Sequence, residues 1–323
     1  MNLRILVSLA TLLLASPLVY AQAYPAKNVT MLVPFAAGGP TDTVARVMAQ
    51  AMSKPLGQQI IVENKPSAGG ILAGEQVAKA NPDGYTILIH HIGMATAPTL
   101  YRNLRYKPLE DFEYIGLINE VPMTLIARQN FPAKDFKEFL GYIKANKAKV
   151  TYANAGVGAA SHLCGMLFMS AIQTDFLTVP YKGTGPAMND LLGGQVDSMC
   201  DQTTNTTAQI KSGKVKVYGV TTLARVPSLN EIPTLDEQGV KGFNVSVWHG
   251  FYAPKGTPKP VIDKLVRALQ EALKDPTVKT RFNDLGTEPI DLKRATPDAL
   301  RSFLKSEIDK WSPLIKAAGV YAD

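Results

Sequence analysis

Histidine, cysteine and tryptophan are scarce, at four, two and two residues in a chain of 323. That scarcity narrows the possible chemistry. His90 and His91 adjoin, while His162 and His249 stand far from them and from each other. None has metal-ligand spacing, and neither has Cys164 or Cys200, so no metal and no cofactor are expected. The serine elbow G-x-S-x-G is missing as well. Ser161 and His162 are sequence neighbours, but adjacent side chains on a helix do not face each other and make no nucleophile–base pair. Carboxylates are plentiful, yet none is paired by spacing with a plausible acid. With no nucleophile, base or metal constellation, a binding protein is expected and an enzyme is not.

Long apolar runs are missing too, except at the start. There Arg4 precedes an apolar stretch from Ile5 to about Val19, and Val19-Tyr20-Ala21 fits a small-residue cleavage rule. Residues 1–21 are expected to be a signal peptide cut near Ala21, so the mature chain is expected to be exported. Ser16-Pro17 interrupts the run, which argues against a membrane anchor. The formal charge is +7, but the basic residues are scattered rather than gathered in a stripe, which excludes nucleic acid. Such a surface mildly attracts anions. Two cysteines are an even count in an oxidising compartment, so Cys164–Cys200 is the expected disulfide, with two buried thiols that never meet as the alternative.

Beyond the leader, short β-branched runs alternate with helical ones, from "NVTMLVPF" to "KVKVYGVT". This is an α/β pattern of parallel-rich sheets covered by helices. Within it, "FEYIGLINEVPMTLIARQN" suggests two strands separated by Glu120-Val121-Pro122. After "NVSVWHGFYAP" only helices are expected, and they need a sheet to cover. The simplest solution is two domains, 22–124 plus 246–323 and 125–245. Crossings near Thr124 and Trp248 would hinge them over a cleft.

Three strand-to-helix turns stand out: "PFAAGGPTD", "ANAGVGAASH" and "VPYKGTGPA". In the first and third, Gly39 and Gly185 are the expected N-caps, with Pro40 and Pro186 as first helical residues. Free N–H groups at such helix starts favour an anion. Asp42 would repel one, so it is expected to order its own turn or hold a bridging water. "AGVGAAS" is not a dinucleotide site: Ser161 replaces the third glycine and no ribose-binding acid follows.

The stretches "VPFAAGGPTDTVAR", "VENKPSAGG", "ANPDGYTIL", "VPYKGTGPAMNDLLGGQVD", "IPTLDEQGVKGF" and "WHGFYAPKGTPKPVIDKL" together resemble the Bug family. These are extracytoplasmic solute receptors of tripartite tricarboxylate transporters. The resemblance implies a periplasmic two-domain clamshell of the type II class, which holds a carboxylate by main-chain groups and ordered waters. It implies a binding loop over Ala36, Ala37, Gly38, Gly39, Thr41 and Asp42. Second-domain loops would contribute Ala155, Gly156, Gly158, Ser161 and His162, then Tyr181, Gly183 and Thr184. The segment from His90 to Ala95 would meet the distal end of the ligand, and Asp201 and Gln202 would supply a further contact. Lys182 is expected to pair with a scaffold carboxylate such as Asp197. His90, His91, Tyr181 and Trp248 would shape the rest of the pocket, favouring an aromatic acid or a dicarboxylate. The implied partner is a membrane permease, and the protein itself is expected to be a monomer. A ligand-sensing subunit and a secreted hydrolase are the alternatives.

Overall fold

A computed structural model describes residues 24–319 and 321–322. The expected signal peptide lies outside the described residues. Among them no helix is long and apolar enough to cross a membrane.

The first part of the chain runs β1 (Val29–Val33), α1 (Pro40–Leu56), β2 (Ile60–Asn64), α2 (Ile71–Ala78), β3 (Thr86–His90) and α3 (Gly93–Leu100). β4 (Phe112–Arg128) follows. Then come α4 (Phe136–Asn146), β5 (Thr151–Asn154), α5 (Ala160–Ile172), β6 (Leu177–Pro180), α6 (Thr184–Leu192), β7 (Ser198–Gln202), α7 (Thr203–Lys211) and β8 (Val215–Val220). β9 (Ser246–Pro254), α8 (Lys259–Lys274), α9 (Pro276–Asp284), β10 (Glu288–Pro289) and α10 (Pro297–Ala318) complete it.

The strands form one continuous path, β2-β1-β3-β9-β4-β7-β5-β6, with β8 and β10 also paired to β4. β1 lies parallel to β2 and β3, and β5 parallel to β6 and β7, as strand–helix alternation requires. β9 and β4 are antiparallel and join these two parallel sets. β4 is a single strand of 17 residues, not two. Its first part pairs with β9 as far as Pro122↔Ser246, and from Met123 onward it pairs with β7 and β8. Pro122 ends no strand because it sits where the partners change, at the last β9 register position, where one missing N–H is tolerated.

Two cores line the faces of the first sheet, and one of them continues into the second half through Phe139, Tyr152 and Phe168. Val29, Met31 and Val33 of β1 meet Val44, Met48 and Met52 of α1, spaced four apart, and Leu265 and Leu269 of α8. Leu32 and Leu88 point to the other face, on the side that α2 covers with Ala73 and Val77, while α10 packs with Leu300, Leu304 and Trp311 on β4 and α3 in the same core. Each such buried side chain contributes roughly 1.5–3 kcal/mol. The terminal helices thus return to the first sheet, although the two-residue β10 interrupts what reads as an all-helical tail. In the second half, the Sγ atoms of Cys164 on α5 and Cys200 on β7 are bonded, with their Cα atoms 6.2 Å apart.

Candidate functional site

Four helices begin at one place between the halves. Pro40 and Thr41 open α1, Ala160 and Ser161 open α5, Thr184 opens α6, and Gln202 caps α7. Together with Phe35, His91, Ala155, Ala159 and Asp201 these residues line a cavity of about 10 Å³, enough for a single water. No lysine or arginine is among them. The first-turn N–H groups of each helix have no intrahelical partner and concentrate positive potential at that end. Four such ends around one space suit an anion without any cationic side chain.

The opening turn is built as its residues require. Gly39 caps α1 and Pro40 takes a first-turn position. Asp42 is buried, which alone would raise its pKa, yet bonds from Arg46, the Gly38 N–H and Asn64 hold it below the usual carboxylate range. Its charge is committed to shaping the turn and to Arg46. Gly38, at φ +78°, supplies the left-handed residue that brings its own N–H onto Asp42, at 2.9 Å.

α6 begins earlier than "GTGPA" suggests, with Gly183 rather than Gly185 as its N-cap. Pro186 then falls at the third helical position, where its missing N–H leaves no intrahelical bond unmade. The shift lets the Lys182 carbonyl accept from the Ala36 N–H of the first half at 3.0 Å. It also sets Gly185 against the opening turn. A Cβ at Gly185 would lie 3.0 Å from the Ala37 carbonyl oxygen and 3.0 Å from the Gly39 nitrogen. The loop containing Gly156 and Gly158 touches the first half as well: Tyr101 donates to the Val157 carbonyl at 2.8 Å and Thr96 to the Gly158 carbonyl at 3.1 Å. Gly185 and Gly156 therefore admit backbone from the opposite half, and Gly158 admits the side chains of Leu100, Tyr101 and Thr96.

A hydrogen-bond chain fixes which atoms carry protons. Thr287 donates to the Glu120 carbonyl and Asn119 Nδ2 donates to Thr287 Oγ1, which leaves Asn119 Oδ1 as an acceptor for His249 Nδ1 at 3.0 Å. Burial holds His249 neutral, its pKa down at about 3, so its Nε2 accepts the Thr41 hydroxyl at 3.2 Å. Thr41 Oγ1 then has only lone pairs to offer. His91 is also kept neutral by burial and accepts the Gly93 N–H at Nδ1, so its Nε2 bears the proton. The ring stacks on Phe35, with centroids 4.7 Å apart. Ser161 Oγ accepts the Ala155 N–H, which leaves the hydroxyl hydrogen to donate.

Several expected pocket residues lie elsewhere. Trp248 alternates with His249 on β9 and so faces the other way, bonded to Glu307 and packed on Phe303. Tyr181 turns to Asp190 on α6 at 2.6 Å. His90 is fully buried behind the wall, where its Nδ1 accepts the His91 N–H. His162 takes the Gly158 N–H at 3.4 Å and does not line the cavity. Lys182 is exposed, and Asp197 is held by Arg128 at 2.8 Å instead. Conversely, Phe35, Ala159 and Ala160 line the cavity without having been singled out. Phe35 ends an apolar run that reads as ordinary core, and two alanines carry no chemical signal.

Residues 44–320 match the family model described as the tripartite tricarboxylate transporter family receptor. Among solved structures, the periplasmic binding protein BugD is 56% identical, with a TM-score of 0.91 over 93% of this chain and 100% of its own. MatC of Rhodopseudomonas palustris, solved with bound malate, is 41% identical at a TM-score of 0.87, covering 90% of this chain and 100% of its own. A further R. palustris protein, solved with adipate, is 30% identical at a TM-score of 0.87, covering 92% and 99%.

Proposed function

The chain belongs to the tripartite tricarboxylate transporter receptor family, and from that premise we propose that it captures a small organic acid between its halves and hands it to a membrane permease. The family and its solved relatives are solute-binding receptors, not enzymes. The single observation that carries the carboxylate is the convergence of four helix starts, drawn from both halves, on a cavity lined by no lysine or arginine. The bound malate and adipate of two relatives support the same class of ligand.

A cavity of about 10 Å³ does not admit even a four-carbon acid, so the halves must part for entry. We assign that motion to the seam where β4 leaves β9, which separates 22–124 plus 246–323 from 125–245. Of the two ligand types the sequence suggests, the dicarboxylate is favoured, since Trp248 and Tyr181 face away and Phe35 and His91 alone supply ring surfaces. Export to the periplasm rests on the leader at residues 1–21.

A thermal-shift screen of mono- and dicarboxylates tests the proposal. At about 100 times its Kd, a true ligand adds about 2.7 kcal/mol to the stability of the folded state. Sugars and simple amines should add nothing. If no acid raises the melting temperature, the carboxylate assignment fails.

A further inference from the structure

Asp201 is the one charged side chain among the described residues lining the cavity. It is 1% exposed. Burial raises its pKa to about 6, and the groups acting against that rise are neutral: the Asn205 amide, the Gln202 N–H and the Thr184 hydroxyl. Asn205 Nδ2 donates to its Oδ2 at 2.6 Å. Buried charges are ordinarily paired with an opposite charge, and no cation acts on this one. Asp42, the other buried acid of the site, has Arg46, so the contrast lies within one molecule. On the facing wall, Thr41 Oγ1 can only accept, because its proton is held by His249. Gln202 Oε1, buried beside Asp201, has no hydrogen-bond partner. Three side chains with a free acceptor, Asp201, Thr41 and Gln202, thus line the cavity beside the donors that a carboxylate would use.

We infer that the acid carries a hydrogen-bond donor, an ammonium or a hydroxyl group close to its carboxylate, and that Asp201 receives it. This rests on the function proposed above and narrows it. An unsubstituted acid would set a methylene against a buried carboxylate and leave that charge with no further donor. Asp201 would then act as the residue that selects among acids, while the helix starts hold the carboxylate that all of them share.

Matched acids, titrated calorimetrically near neutral pH, separate the possibilities: propanoate with lactate and alanine, succinate with malate and aspartate, and glutarate with glutamate. Within whichever set binds, the donor-bearing member should bind at least about 10-fold more tightly than the plain acid, as a hydrogen bond to a charged group implies. A hydroxy acid that exceeds its amino counterpart identifies the donor as hydroxyl, and the reverse identifies it as ammonium. Asp201→Asn should shrink the preference to less than about 3-fold while the plain acid binds as well or better, since the charge-assisted share of that bond is lost. A plain acid that equals its substituted partners in the wild type, or a preference that survives in D201N, overturns the inference and leaves the receptor function standing. If no acid in any set binds, both fall. Should D201N fail to fold, as its melting curve would show, the wild-type comparison alone decides.

Discussion

Replacing Gly185 by valine is expected to leave a folded protein that no acid protects from heat. Gly185 is the second residue of α6, where a side chain is compatible with the helix, and its contacts lie across the gap on the opening turn. A Cβ there would already meet the Ala37 oxygen and Gly39 nitrogen at 3.0 Å and the Gly38 carbonyl carbon at 3.1 Å. All three are backbone atoms of a turn fixed by Asp42, so they cannot swing aside as a flexible side chain would. The branched methyl groups of valine need still more room, which the halves can supply only by staying apart. The substitution removes no buried apolar side chain, so the ligand-free melting temperature should change by no more than about 3 °C. Affinity for any acid that stabilises the wild type should fall by more than about 100-fold, because the ligand then meets one wall instead of two. Gly185→Ala should show the same effect in weaker form. Unchanged calorimetric binding in G185V would mean that the acid is held without the halves coming together.

The double substitution Cys164→Ala with Cys200→Ala should lower the melting temperature by on the order of 10 °C. The bond spans 36 residues of sequence, and a loop of that length is worth about 4 kcal/mol in the chain-entropy account. Both residues are essentially buried, and alanine leaves no unpaired hydroxyl behind. The consequence reaches past stability. Cys164 lies one turn after Ser161, and Cys200 directly precedes Asp201, so the bond ties one wall of the cavity to another. Acid binding should weaken along with the melting temperature. A shift of less than about 2 °C would show that the surrounding core, not the bond, supplies the rigidity.

How far these features could be read in advance depended on how local their causes are. The cap of α1 and the role of Asp42 follow from neighbours within a few residues, and both were legible. So was the return of the last helices to the first sheet, because unsatisfied apolar faces leave few places for them to go. Pro122 misled because its effect depends on which strand lies beside it, a tertiary matter. Trp248 and His249 adjoin in sequence, and only the pairing of β9 with β4 decides which of them faces the cleft. Arg128 outcompetes Lys182 for Asp197 for the same reason, since strand register sets their distances. "GTGPA" offers two glycines as caps, and the approach of Ala36 to the Lys182 carbonyl accompanies the choice of the earlier one. The lone charge of Asp201 was invisible, since one sequence does not show that no cation comes near.

β4 has one more effect, on how the molecule comes apart. Because this strand is central to both sheet halves, neither can lose it without stripping the other of its innermost neighbour. On the proposed hinge the two halves would swing like the covers of a book, yet they share a spine and should fall to denaturation together.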